Sequence, residues 1–337
     1  MKYLTGLLLA GVLIQPARGH HSDAGMSLDT LLAFEGTVAA FNWRNPHVYV
    51  RVETDVSGQP IVWELQMGTT NGLTRRGWTR ETLAVGDRVR VRAHPANDGR
   101  PYGVLETIDR EGGIALAPIT QPPAEPARTG GTLAGTWRAD VTKLVAYPGG
   151  YDGFFRAQLK LTDAGRAAEA AYDPLSDENP ESTCIGRPTP AAIVSSHLYL
   201  LGIEIDNDPQ AIIIRSEYFD EERTVYLDGR QHPDPSERFR TGHSIGRWEG
   251  DTLVVDTRNF DDHRSPYQIG VPSGAQKHVV ERYRLIERET RMTVEFMLED
   301  PEYLAEPMTH SRELIYSPHE EMYRFNCDPD ATRRFVR

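Results

Sequence analysis

The chain is poor in cysteine. It has two, Cys184 and Cys327, and no Cys-x-x-Cys pair, so a dithiol redox motif is excluded. Long apolar runs are also missing. The longest, Leu4 to Ile14, falls short of the ~20 residues that span a bilayer, and no later stretch is longer. Cations are outnumbered, 37 Lys and Arg against 49 Asp and Glu, for a net charge of −12. Such a chain repels phosphate backbones and anionic lipid, which argues against nucleic-acid partners and against stable membrane attachment. Glycine-rich phosphate loops and a His-Glu-x-x-His pair are absent. Gly242-His243-Ser244-Ile245-Gly246 spells a serine-hydrolase elbow in letters only. That elbow needs a strand, a turn and then a helix, and strand patterns flank this segment on both sides. No internal repeat is visible.

What is present is an ordinary globular composition, 39% hydrophobic and 26% charged over 337 residues, enough for two cores. The first nineteen residues read as a secretion signal. Lys2 precedes the apolar run, Gln15-Pro16 breaks it, and Ala17-Arg18-Gly19 puts small residues at −3 and −1 of a cleavage before His20. A buried N-terminal helix is the alternative. Cleavage removes Lys2 and Arg18 and no acid, so the mature chain is more acidic still. Export implies the periplasm or the exterior. In an oxidising compartment Cys184 and Cys327 are expected to form one disulfide, two buried thiols being the alternative.

Residues 20–118 alternate in short strands. These are 34–41, 48–53, 61–65, 88–94 and 102–109, with a short helix over 73–78. Five strands and one helix predict a small OB-like barrel. Residues 119–133 are a Pro/Gly-rich linker. Residues 134–337 open with Gly135-Thr136-Trp137. A helix is expected over 161–172, capped by Thr162. Strands are expected at 211–217, 223–227, 244–248, 252–257, 279–286, 291–298, 310–316 and 321–326. Consecutive hairpins predict a larger antiparallel barrel. The fold class is therefore mainly β, a small barrel followed by a larger one.

Several blocks of the first region occur in order: His20-His21-Ser22, Phe34-Glu35-Gly36-Thr37-Val38, Trp43-Arg44-Asn45-Pro46-His47, Leu73-Thr74-Arg75-Arg76-Gly77-Trp78 and Val85-Gly86-Asp87-Arg88-Val89. This region resembles the bacterial family DUF6152, which implies an exported small β fold and no particular chemistry. The second region resembles another uncharacterised bacterial domain through Leu227 to Pro233, Gly242 to Thr257 and Val280 to Tyr283. Its Gly-x-Trp opening is similar to that of lipocalins, whose barrels hold small apolar ligands. The second signature block of that family is missing, so the likeness is architectural.

Three sets of residues could carry chemistry. A mature N-terminal His20 could chelate copper(II) through its amine and imidazole, with His47 or His94 completing the set. Asp228, His232 and His243 are candidates for acid–base catalysis, with Arg230 anchoring a carboxylate and a structural Asp–Arg pair as the alternative. Trp137, Trp248 and Tyr283 could line a barrel pocket or pack its core. Glu281 and Arg282 face opposite sides of a strand, so one of them could point into the barrel, where it would need a partner such as Arg247 or Glu295. Two functional readings follow. One is a barrel that binds a small, partly apolar ligand, and the other is an enzyme working inside that barrel. Copper binding by the first domain is a third, independent possibility.

Overall fold

The computed structural model describes residues 26–27, 29–110, 115–116, 129–145, 147, 150–173, 179–205, 210–262 and 269–332. The first unit holds β1 (Leu32–Asn42), β2 (Tyr49–Val56), β3 (Gln59–Gln66), α1 (Thr70–Thr74), β4 (Arg88–Pro95), β5 (Tyr102–Arg110) and β6 (Ala115–Leu116). The order is β3-β2-β1-β4-β5-β6, and a parallel pairing of β3 with β5 closes five strands into a barrel. In β4 the exposed arginines 88, 90 and 92 alternate with buried Val89, Val91 and Ala93, the period-2 pattern of a half-buried strand. The buried set meets Val50, Leu65, Leu105 and Ile108 inside. Leu73 and Trp78 pack against the same core, so the helix block is an element of the barrel. The helix itself lies a few residues earlier than expected, because Thr69 caps it by accepting from Gly72 N–H at 3.1 Å.

The second unit holds β7 (Gly135–Ala139), α2 (Gly150–Gln158), α3 (Asp163–Ala171), α4 (Ala191–Val194), β8 (Leu201–Ile205), β9 (Ala211–Ser216), β10 (Glu221–Tyr226), β11 (His243–Glu249), β12 (Thr252–Arg258), β13 (His278–Ile286), β14 (Arg291–Glu299), β15 (Met308–Tyr316) and α5 (Pro329–Thr332). Nine strands, β7 to β15, form a closed barrel. Thr162 caps α3 as expected, accepting from Gly165 N–H at 3.1 Å. Gly250, at φ 64°, turns the tight hairpin from β11 to β12. One pairing departs from the antiparallel meander. β10 and β11 run parallel, because residues 227–242 carry the chain back to the starting end of the barrel.

Residues 321–326 are not a strand. The chain leaves β15 at Tyr316 and crosses between the two units as an extended strap. Its Cys327 is bonded to Cys184, with Cα atoms 5.7 Å apart. No helix among the described residues is long and apolar enough to cross a membrane.

Candidate functional site

The second barrel is filled. Trp137 and Tyr283 are fully buried in a core that also takes Phe155, Leu253, Val255 and Phe296. Within it lies a polar layer. Arg223 donates to both oxygens of Glu281 at 2.5 and 2.7 Å and to Tyr283 Oη at 3.0 Å. Ser244 and Thr257 lie 3.3–3.4 Å from the same guanidinium. Burial alone would favour neutral Arg223, but the Glu281 carboxylate overrides it and raises its pKa. The void beside this layer is about 10 Å³, room for a single water. Glu281 therefore faces inward and pairs with Arg223. The expected partner, Arg247, lies outside and pairs with Glu249 at 2.6 Å. Trp248 is 47% exposed although it shares the parity of buried Ser244, because the last three residues of β11, Arg247 to Glu249, are all exposed next to the hairpin turn. Trp137, Tyr283 and Glu281 thus belong to packed interior and line no ligand-sized space there.

Space opens instead at the seam between β15 and β7. These strands pair only over Leu314–Tyr316. One further bond joins Asp140 N–H to the Glu313 carbonyl, and the chain then turns away towards α2. The gap is a cleft of about 660 Å³. Leu144, Tyr147 and Phe154 form its apolar side, His197, His310 and Arg312 a polar side, and the charged Asp140, Lys143 and Glu313 its rim along the strand ends. Arg312 Nη2 donates to the Val194 carbonyl at 3.1 Å. His310 lies edge-on to Phe154, ring centres 4.8 Å apart, and its Nε2 is buried without a hydrogen-bond partner. Burial first, and then the Arg312 charge, push both imidazoles down to about 4. Both are neutral at pH 7 beside a permanent cation. None of these residues stood out in the sequence. His310 and Arg312 alternate along β15, but nothing local marks them as seam residues.

The expected acid–base cluster is only partly assembled. Asp228 and Arg230 bond to each other at 2.5–2.9 Å on the surface, with the guanidinium 3.7 Å over the Tyr226 ring. Asp228 reaches neither histidine, so it is the structural Asp–Arg pair. His232 and His243 do meet, Nδ1 to Nδ1 at 3.1 Å. The carboxylate that serves them is Asp256, 3.1 Å from His232 Nε2 and 3.0 Å from His278 Nε2. Glu299 faces His278 Nδ1 at 3.2 Å. Burial works against ionised Asp256, yet the His278 imidazole and the Arg258 guanidinium hold it well below the usual carboxylate range. Burial lowers both His232 and His243, the latter also through His232 itself. This row lies on the outer face of β11 to β14, put together by register. Arg258 sits opposite His243, and Glu299 opposite His278. Arg258, His278 and Glu299 also border a second cleft of about 590 Å³.

The copper reading rests on His20, which lies outside the described residues. His94 Nδ1 is 2.9 Å from the Thr30 carbonyl, and His47 stacks edge-on to Tyr49. Among the described residues no three His, Cys, Asp or Glu side chains converge to hold a metal.

The five-stranded closure and its blocks now stand together. Residues 9–106 match the DUF6152 family. DUF6152 is a family of unknown function. No curated protein matches the chain in sequence. Among solved structures, the fluorescent protein UnaG matches as wild type and as a point mutant, at 14% and 12% identity and TM-scores of 0.26 and 0.27. Both matches cover 55% of this chain, and 97% and 96% of theirs. Several DUF6152 blocks have structural roles here. A Cβ on Gly36 would lie 2.4 Å from the Glu53 carbonyl oxygen. Val85-Gly86-Asp87 forms a turn locked to Val38 by two main-chain bonds of 2.9 Å.

Proposed function

We propose that the second barrel binds a small, partly apolar molecule carrying an anionic group, and binds it in the seam cleft rather than in the barrel interior. The supporting observation is the cleft's division of labour. An aromatic and aliphatic wall faces the Arg312 cation and a buried imidazole nitrogen with no partner. Neutral His197 and His310 can donate or accept without adding charge, and the other charges of the lining are paired, Lys143 with Glu313 and Asp140 with Arg291, so Arg312 carries the preference for an anion. The disulfide agrees with a non-cytoplasmic site of action, and export through residues 1–19 is part of the same proposal.

The probes are anilinonaphthalene sulfonate and decanoate. Saturable sulfonate fluorescence displaced by decanoate is expected for the intact protein. Arg312→Ala should weaken decanoate by about tenfold or more, with Arg312→Lys between the two. Equal affinity in all three proteins would remove the cleft from consideration.

A second reading rests on the contact chain Asp256–His232–His243, which can orient His243 as a base at the protein surface. It replaces Asp228 by Asp256 in the acid–base role. Copper on processed His20 stays a separate proposal, tested by the mass and metal content of the mature protein.

A further inference from the structure

The DUF6152 blocks around Asn45 and Arg75 take no part in either cleft. They meet at one end of the first barrel, where Asn45 and Asn71 are 1% and 2% exposed. Their carboxamides are oriented by neighbours. Asn45 Oδ1 accepts from Thr70 N–H at 2.8 Å. Asn71 Oδ1 accepts from the Thr70 hydroxyl and from Asn45 Nδ2, each at 3.2 Å. With both oxygens engaged, both amide nitrogens are left to donate elsewhere.

What they meet is main chain. Asn71 Nδ2 donates to the Tyr323 carbonyl at 2.9 Å, and Asn45 Nδ2 to the Phe325 carbonyl. Those carbonyls are two residues apart, the repeat of an extended chain. The Asn45 carbonyl accepts from Asp328 N–H at 3.2 Å, and a parallel bridge pairs Asn45 with Cys327. Arg75 donates to the Glu321 carbonyl at 3.0 Å. The Phe325 side chain turns to the second unit instead, while the Tyr323 ring lies 5.3 Å from the Arg75 guanidinium. Phe325 is wholly buried against Tyr199 and Phe219. Charge favours an acidic segment, since Arg44 pairs with Asp328 at 2.8 Å and Arg75 pairs at 3.5 Å with Glu320, the residue just before the segment.

We propose that this end of the first barrel is a docking site for an acidic extended peptide, read through its main chain, and that its ligand in this protein is the chain's own segment from Glu321 to Asp328. Without that segment two buried, oriented amide groups would lose their carbonyl acceptors, which is the mark of a site built for an occupant. Alternating carbonyl recognition is the logic of strand addition, here carried by side-chain amides. The first barrel then holds the carbonyl side of the strap, while Glu217 and Asp220 of the second unit accept from its Tyr323 and Phe325 N–H groups at 2.7 and 2.8 Å and the disulfide fixes its end.

Hydrogen exchange on the oxidised full-length protein tests this. Asn71→Ala and Asn71→Asp remove the donor, and Tyr323→Ala removes the ring that stacks on Arg75 but keeps the main-chain carbonyl. Both Asn71 variants should speed exchange of the Tyr323, Phe325 and Asp328 amides by about tenfold or more, with β1 to β5 unchanged. Tyr323→Ala should change them less than about threefold. Unchanged strap protection in the Asn71 variants overturns the proposal. So does a Tyr323→Ala effect as large as that of Asn71→Ala, which would mean that side chains are read. Loss of protection throughout β1 to β5 in both Asn71 variants overturns it too, by making the pair part of the barrel's own framework.

Discussion

Glu221 is fully enclosed in the second barrel, and its Oε2 has no hydrogen-bond partner. Burial raises its pKa to about 7, against the opposing pull of Arg223 and Arg240. The folded protein therefore holds this proton more tightly than the unfolded chain, whose Glu titrates near its ordinary value. The resulting stability is complete below about 4.5 and is lost as pH rises through about 7. Glu221→Gln keeps the shape and removes the charge. It should match the wild type at pH 4 and exceed it at pH 8.5 by on the order of 1–3 kcal/mol in urea unfolding. A constant difference across that range would show that Glu221 does not titrate with folding. The Arg223–Glu281 pair behaves oppositely under truncation. Glu281→Ala strands a buried guanidinium and should cost about 3–5 kcal/mol in the same assay. The alternation of Val279, Glu281 and Tyr283 in β13 was legible as one face of a strand. That Arg223 would be the partner was not, because β10 and β13 are not neighbours in the barrel and meet only across its interior.

Strands read well where one face is wet and the other dry. The alternation of β4 is strict, and the observed strand, Arg88–Pro95, is within a residue of the expected one. β8 carries no alternation that marks it in the sequence, and β7 shows there only as a Gly-x-Trp opening. Both are short, and Leu201, Gly202 and Ile203 are all buried, so alternation is absent. The stretch 321–326 had strand-like letters and became a strap, because its main-chain partners are asparagine amides and carboxylates instead of a neighbouring strand. Within β1, the backbone of β2 passes so close to Gly36 that any side chain meets a carbonyl oxygen. Gly36→Ala should therefore destabilise the first barrel by about 1–3 kcal/mol, the usual cost of overpacking. Exchange of β1 and β2 amides should rise while β11 to β14 stay protected. A neutral Gly36→Ala would mean that β2 can move aside.

At the scale of the whole molecule, the disulfide and the strap tie the two units together. Cys184 and Cys327 are 143 residues apart, a loop whose closure is worth about 5 kcal/mol in the chain-entropy picture. Cys327→Ser should lower stability by up to that amount in oxidised protein and should free the strap amides first. Reduction of the wild type should reproduce both effects. If it leaves strap exchange unaltered, the asparagine amides and the Glu217 and Asp220 carboxylates suffice to hold the segment. The parallel closure of β10 on β11 belongs to this scale as well, since residues 227–242 must return across the barrel end before the strands can pair.

Period-2 alternation, turn glycines and a capping threonine determined the fold class and the two β units from sequence alone, and a lone cysteine pair made one disulfide the expectation. Each is a local preference, or a count, that needs no knowledge of distant neighbours. The tertiary structure decided the rest. Register across four strands replaced Asp228 by Asp256 beside His232. The early exit of β7 opened the seam cleft around Arg312. Packing filled the barrel interior around Trp137 and Tyr283. Pairing partners and leftover space are properties of contacts between remote segments, and no residue's own neighbourhood records them.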